Sequence, residues 1–373
     1  MMAQLRPTIH QIFRFIQISN IIANTWPNDP EGKLIFILQQ IEWSFSVFNI
    51  TVIEISLMCN VFYKWDDVTT MMKSLSQFFA GIESLLNLII FKLKSTDIQN
   101  LLNEVKDFFR TSNDNERAIL QKYVERYFYF FTFVLICHCL VVIAFSCGPI
   151  FLSTKFPLEV WYPFLTESPT VIYILYILHM HIIIKAGFNF IVNFTFAMFF
   201  MYSSARLEML CLKIQNAKNK RQIILCIKDH QKIIKFVNKT NYTVQYSLYK
   251  TNIVMASIII FGAFPIICKQ PLWVSSQFIF MVICGYQRLY VTAWTADDLK
   301  ENSKQVAIEI YNIPWVGNSQ YNTKDIHFMI QRSQISLKIS IRGFLPTLSL
   351  EYFAKYLVTM LSYFTTMRAI IGD

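Results

Sequence analysis

The sequence predicts an all-α integral membrane protein with seven transmembrane helices and a cytoplasmic amino terminus, and three observations predict it. Of the 373 residues, 54% are hydrophobic and 16% charged, with a mean hydropathy of +0.39. A soluble domain of this size needs more polar side chains than that to cover its surface. Seven apolar runs approach or exceed the roughly 20 residues that a helix needs to cross a bilayer. Finally, the lysines and arginines crowd into alternate connections between those runs.

Residues 1–33 read as a cytoplasmic segment. Ile9, Ile12, Phe13, Ile16 and Ile21 recur at helical spacing, which suits an amphipathic helix at the membrane surface. Arg6, His10, Arg14 and several amides interrupt it, so it does not read as a cleavable signal and the first span itself directs insertion. Spans are expected at 34–60, 70–92, 128–151, 171–200, 250–268 and 273–296, making 34–296 a six-helix domain, with a seventh at 346–368. Glu42, Glu54, Glu83, Lys185, Arg288 and Glu351 interrupt these runs. Ionisable side chains rarely face lipid, so the spans are expected to pack around polar paths or to extend past the membrane. Leu207, Leu210, Cys211, Ile214, Ile223, Ile227, Ile234 and Val237 keep helical spacing beyond spans four and five. Those helices should therefore continue into the cytoplasm and pack there with an anchor segment at 297–345. Residues 346–373 then form a last helix and a short extracellular end.

Loop charge gives the orientation. Three basic residues lie in the amino-terminal segment, seven between spans two and three, ten between spans four and five, and six between spans six and seven. The opposite set holds Lys64, Lys73, Lys155, Lys269 and Arg368. Positive residues stay inside, so the amino terminus is expected in the cytoplasm and the carboxyl terminus outside. A seven-helix G-protein-coupled receptor has the inverse arrangement. The chain also lacks an Asp-Arg-Tyr box after span three and an Asn-Pro-x-x-Tyr turn in span seven.

The net charge of +10 is read as loop charge facing anionic lipid rather than a nucleic-acid surface, because no basic helix or RNA-binding signature accompanies it. Six of the eight cysteines lie in apolar runs and behave as small apolar side chains, leaving Cys147 and Cys268 as one conceivable bridge. Cys137, His138 and Cys139 are adjacent on a helix, about 100° apart, and cannot close a metal site alone; His179 and His181 diverge similarly. The pairs Asp66-Asp67 and Asp297-Asp298 read as caps and solvated charge. No phosphate loop or catalytic motif is present in the sequence, and neither an enzyme nor a cofactor is expected.

What remains is a lining for a small apolar ligand. Met71, Met72, Phe78 and Phe79 lie in span two, and Phe145 and Ser146 in span three. Tyr173, Tyr176, Ile177, Met180 and Ile184 lie in span four, with Phe278, Phe280 and Met281 in span six. For any single one of them, ordinary helix packing is the better account. In the last span, Thr359, Ser362, Thr366, Ala369 and Ile370 fall near one face, flanked by Tyr352, Phe353, Tyr356, Leu357, Phe364 and Met367. Such a stripe suits a wet pore wall, and it suits close helix packing as well. A pore with one helix per chain requires an oligomer around a central axis.

Several stretches carry a resemblance. Ala307-Ile-Glu-Ile-Tyr-Asn-Ile-Pro-Trp315, Ile330-Gln-Arg-Ser-Gln334, Gly343-Phe-Leu-Pro-Thr-Leu-Ser-Leu-Glu-Tyr-Phe353 and Ser362-Tyr-Phe-Thr-Thr-Met-Arg368 together resemble the ending of insect odorant receptors. Arg6-Pro7 with Trp26-Pro27, and Phe156-Pro157-Leu-Glu-Val-Trp161-Tyr-Pro163-Phe, resemble that family's amino end and its loop before span four. The resemblance implies a tetrameric ligand-gated cation channel in the plasma membrane of sensory neurons, opened by small volatile molecules. A tuning subunit of this kind assembles with a shared odorant co-receptor. Carried over by position, Thr366, Ala369 and Ile370 would face the conduction path, and the odorant would sit among spans two, three, four and six. Gustatory receptors, which are related, carry Thr-Tyr and then Gln-Phe in the final helix; Ser362-Tyr363 and Met367-Arg368 favour the olfactory branch. The chain also lacks the long loop before span five that marks the co-receptor. A gustatory-type channel, a G-protein-coupled receptor and a transporter are the alternatives. The single glycine at Gly343 departs from the family's pattern, and Arg368, near the outer pore mouth, is placed to affect permeation.

Overall fold

In the computed structural model the described residues are 8–27, 33–152, 154–318, 321–341 and 347–372. Arg6, Pro7 and the 343–346 stretch, singled out above, lie outside them. Every element among the described residues is a helix: α1 Ile9–Ile22, α2 Lys33–Tyr63, α3 Val68–Leu93, α4 Ser95–Thr111, α5 Asp114–Ser146, α6 Gly148–Leu152, α7 Pro169–Phe188, α8 Phe190–Gln215, α9 Lys220–Ile267, α10 Leu272–Tyr311, α11 Thr323–Ser333 and α12 Leu350–Gly372.

Helix starts follow local chemistry. Thr8 and Gln11 form a capping box on α1, and Asn113 and Glu116 another on α5. The carboxylate of Asp67 accepts from the Thr70 amide at the start of α3. The amphipathic helix expected near the amino end is α1, and it is held against the bundle. Ile16 is buried, Ile12 and Phe13 pack on the core, and Asn20 Nδ2 donates to Thr195 Oγ1 at 3.0 Å. Ile21 is exposed.

Five segments are long and apolar enough to cross a membrane, and they contain most or all of spans one to five: 36–63, 68–93, 114–146, 169–215 and 220–267. In α10 and α12, which complete the seven, polar groups dilute the apolar pattern. Gln277, Gln287 and Arg288 of α10 are all buried, so its polarity points into the protein. Two boundaries differ from expectation. Span three stops at Ser146, and the short α6 follows with Pro149 in its first turn, where a missing amide hydrogen is tolerated. Span four breaks at Asn189 into α7 and α8. The Asn189 side chain donates to Ser84 Oγ at 2.6 Å and accepts from Asn87 at 3.2 Å, which ties the break to α3. Two residues earlier, Gly187 admits α5: a Cβ there would stand 2.1 Å from Val142 Cγ2.

The helices are too long to be only membrane spans. At about 1.5 Å per residue, the 48 residues of α9 extend roughly twice as far as a hydrocarbon core is thick. The excess lies at the end that carries the basic connections. There α4, which buries Ile98, Leu101, Leu102, Val105 and Phe109, joins extensions of α5, α8, α9 and α10 and helix α11 in one apolar core. Arg126 Nη2 donates to Asp298 Oδ1 at 2.9 Å, and Tyr127 Oη donates to Asp298 Oδ2, locking α5 to α10 in this layer.

Candidate ligand cavity and last helix

Towards the opposite end the packing opens into a cavity of about 100 Å³. Five membrane helices supply its apolar wall: Ala80 of α3, Val141 and Phe145 of α5, Ile182, Ile183 and Ala186 of α7, Met255 and Ile258 of α9, and Met281 of α10. Leu57 of α2 and Leu158 of the loop before α7 complete it. The floor, on the side of the basic connections, is polar. Glu83, His138, Asn189 and Arg288 line it.

That floor is a paired network. Arg288 reaches Glu83 through two parallel bonds, Nη1 to Oε2 at 2.8 Å and Nη2 to Oε1 at 2.6 Å. Its Nε donates to Asn193 Oδ1 at 3.0 Å. Lys250 Nζ donates to Glu83 Oε1 at 3.0 Å and to Asn87 Oδ1 at 2.7 Å. Thr251 Oγ1 adds a bond to Glu83 Oε1 at 3.3 Å. Glu83 is wholly buried, and Lys250 and Arg288 nearly so. Ionised groups survive such burial only when paired and hydrogen-bonded. His138 Nδ1 lies 2.9 Å from the Val134 carbonyl, which accepts, so Nδ1 carries the proton and Nε2 is left as an acceptor.

A second cavity, of about 380 Å³, lies beyond the first, under the loop at 154–162. Gln77 and Leu158 line both and so form the partition between them. The loop is fastened at Glu159. Its amide donates to Gln77 Oε1 at 2.9 Å, its carbonyl accepts from Ser74 Oγ at 3.2 Å, and its carboxylate stands 3.5 Å from Lys73 Nζ. A third hollow, of about 410 Å³ between α1, α5 and α8, is mostly apolar, with Gln11, Tyr127 and Thr132 in its lining and no charged group.

Of the residues selected from sequence, Phe145 and Met281 line the inner cavity, and Phe278 lines the outer one. Phe79 stacks on Phe261 at 5.4 Å beside the cavity wall, while Phe78 packs on the cluster around α2. Tyr176 Oη donates to the Ser146 carbonyl at 2.9 Å. Tyr173, Ile177 and Ile184 are exposed, and Met72, Met180 and Phe280 are half-buried away from the cavity. Helix α7 thus turns an adjacent stripe inward, the one bearing His179, Ile182, Ile183 and Ala186. Apolar residues surround α7 on every side, so hydrophobic periodicity gives it no preferred face. The usable signal is polar: His179 and Lys185 are buried, and in a lipid-facing helix such residues mark the interior. Gln77, Gly81, Glu83, His138, Asn189 and Arg288 are among the cavity residues that a search for apolar lining does not find.

Helix α12 has one packed face. Tyr352 Oη donates to Asn252 Oδ1 at 2.9 Å, Phe353 meets Tyr290 edge to face at 5.2 Å, and Met360 is buried. Phe353 and Tyr356 also touch the cluster of Phe145, Ile183, Met255, Ile258 and Met281 that walls the cavity. Thr359, Ser362, Thr366, Ala369 and Ile370 all lie on an exposed face. Thr359 and Thr366 each donate to a carbonyl one turn back, Lys355 and Ser362, both at 2.9 Å. All eight cysteines are free thiols, Cys147 and Cys268 included. Among the described residues no three His, Cys, Asp or Glu side chains converge as metal ligands.

Comparison with known proteins fits this architecture. The sequence profile of the family described as 7tm Odorant receptor matches residues 67–360. Odorant receptor 10 of Aedes albopictus is 28% identical over 159 residues, which are 42% of this chain and 41% of that protein. Odorant receptor 30a of Drosophila melanogaster is 26% identical over 191 residues, 49% of each chain. These matches span less than half of either relative, whereas Odorant receptor 13a of Drosophila melanogaster aligns over 79% of both chains at 22% identity. The structure of the insect olfactory receptor OR5 from Machilis hrabei in complex with eugenol superposes with a TM-score of 0.78 at 13% identity, covering 97% of this chain and 98% of that one. With the family profile matched over most of its length, this multi-pass membrane protein belongs to the 7tm Odorant receptor family, a family of receptors and not of enzymes.

Proposed function

We propose that the chain is the odorant-binding subunit of a ligand-gated, non-selective cation channel, assembled as a tetramer with a shared co-receptor in the plasma membrane of sensory neurons. The small volatile ligand occupies the cavity between α3, α5, α7, α9 and α10. The observation that carries this reading is a mostly apolar cavity whose wall belongs to the cluster on which Phe353 and Tyr356 of α12 pack. A ligand that spreads or fills the wall changes the seat of α12, and α12 presents Thr359, Ser362 and Thr366 to its surroundings. The hydroxyl stripe is the conduction face of one subunit among four. The layer of helix extensions at 297–345 and its neighbours is the anchor between subunits. Loop charge supports a cytoplasmic amino terminus.

The test is co-expression with an odorant co-receptor in oocytes, recording current while volatile compounds are applied. The expected result is an inward cation current that depends on both subunits. A ligand response carried by G-protein signalling without cation current defeats the reading. So does labelling of a tag at the amino terminus on intact, unpermeabilised cells.

A further inference from the structure

We infer that the cavity selects a ligand bearing a carboxylate, a short-chain organic acid, with its head on Arg288 and its tail against the apolar wall. The inference rests on the cavity being the ligand site. Its physical basis is a charge count. Glu83 faces two cations, Lys250 and Arg288, and all three are buried in the membrane-spanning bundle. One positive charge is therefore left without a counter-charge in a medium where that is costly.

The neighbouring titratable groups do not remove it. His138 is bonded through Nδ1 to a carbonyl and supplies no negative charge. Glu54 of α2 is buried with both carboxyl oxygens unpartnered, but they lie against Gly81, where a Cβ would stand 1.7 Å from Oε1. Gly81 lines the same cavity as Glu83, so Glu54 sits at its edge, but a carboxyl buried with no partner is held in its neutral form and supplies no counter-charge. Neither cation bonds to Glu54.

The donors are also in surplus. Of the five guanidinium N–H groups, one goes to Asn193, two to Glu83 and a fourth, at 3.5 Å, to the Asn189 carbonyl. One N–H on Nη1 is left, and Arg288 lines the cavity. A carboxylate there supplies both the acceptor and the missing charge. An ester or alcohol supplies the acceptor alone, and an amine worsens the imbalance. The volume of about 100 Å³, walled by Ala80, Val141, Phe145, Met255, Ile258 and Met281, suits a short tail rather than a long acyl chain.

The experiment compares hexanoic acid, methyl pentanoate, 1-hexanol and hexylamine at pH 7.4, first as agonists on the co-expressed channel. It then measures thermal unfolding of the purified full chain in detergent with each compound. The acid is expected to act at concentrations at least about tenfold below the ester and alcohol, and to raise the unfolding temperature where they do not. Lys250→Met deletes the excess charge and keeps the Glu83–Arg288 pair, so the acid's advantage over the ester should fall to within about threefold. If that variant does not fold, the acid-to-ester comparison in the unsubstituted chain decides. Currents evoked by ester or alcohol as readily as by acid overturn the inference and leave the receptor reading standing. An unfolding temperature raised by acid, with no current from any volatile compound, supports the acid site and defeats the channel reading. An unfolding temperature that no compound moves, with the acid also silent as an agonist, overturns the inference.

Discussion

Helices α8 and α12 are both apolar and comparable in length, yet they occupy opposite situations. In α8 every residue from Phe190 to Ala205 is buried, and Ala197, Phe199, Phe200, Ala205 and Leu207 have no exposed surface. In α12, Met360 is the single residue in the buried class among those with described side chains. Both put hydroxyls back onto their own carbonyls: Thr195, Ser203 and Ser204 in α8, and Thr359 and Thr366 in α12. Hydrophobicity therefore does not decide which helix is central, because lipid tails are as apolar as leucine. What separates them is the neighbours. Helix α8 is enclosed by α1, α4, α5, α9 and α10, whereas α12 leans on α9 and α10 along one face. The contrast teaches that the stability of the subunit resides in the α8 layer, and that α12 is kept free for surfaces outside the chain.

The contrast predicts unequal responses to truncation. Phe199→Ala in α8 removes a fully enclosed ring and should cost about 3–5 kcal/mol, read as loss of surface expression or a lowered unfolding temperature in detergent. Leu361→Ala, at an exposed position of α12, should stay within about 0.5 kcal/mol. Equal losses at both sites would mean that α12 is covered within the single chain after all. Glu83→Ala should cost a similar roughly 3–5 kcal/mol, because it strands Arg288 and Lys250 in the bundle. Lys250→Met in the Glu83→Ala background removes one of the two stranded charges and should recover part of that loss. A smaller effect, about 1.5–3 kcal/mol, is expected for Tyr127→Phe, which deletes a bond to a charged acceptor between α5 and α10 and leaves Arg126 on Asp298. Comparing the unfolding temperatures of the four single variants orders them.

Much of the fold was legible in the sequence, for reasons that also mark where legibility ended. Runs of about 20 apolar residues announce spans because every backbone polar group must be satisfied inside the segment. The extensions of α8 and α9 past the membrane spans were visible in Leu207, Leu210, Ile214, Ile223 and Ile234, since water restores the contrast between wet and dry faces. Within the bilayer that contrast vanishes. Phe145 and Met281 were found as cavity lining, but on α7 the stripe of Tyr173, Ile177 and Ile184 is exposed while Ile182 and Ile183 are buried. The break at Asn189 also escaped notice, because it depends on Ser84 and Asn87 more than a hundred positions away. Residues that looked like interruptions, Glu83 and Arg288 above all, were the better guide to the interior.

The smallest energetic effect carries the most functional information. Thr366 is exposed and bonds only to the carbonyl of Ser362, so Thr366→Cys should leave the unfolding temperature unchanged within about 0.5 kcal/mol. If the hydroxyl stripe is the conduction face, a positively charged thiol reagent added from outside should reduce the odorant-evoked current of that variant. It should do little to Leu361→Cys, whose position lies on the bulky apolar face beside Leu357 and Val358. The unsubstituted chain, with its exposed Cys139, sets the background. Two α12 positions five residues apart share a membrane depth to within about 8 Å but differ in direction by about 140°. Block at Leu361→Cys and none at Thr366→Cys would put the apolar face on the pore and the hydroxyls against lipid, reversing the assignment of the two surfaces that α8 does not cover.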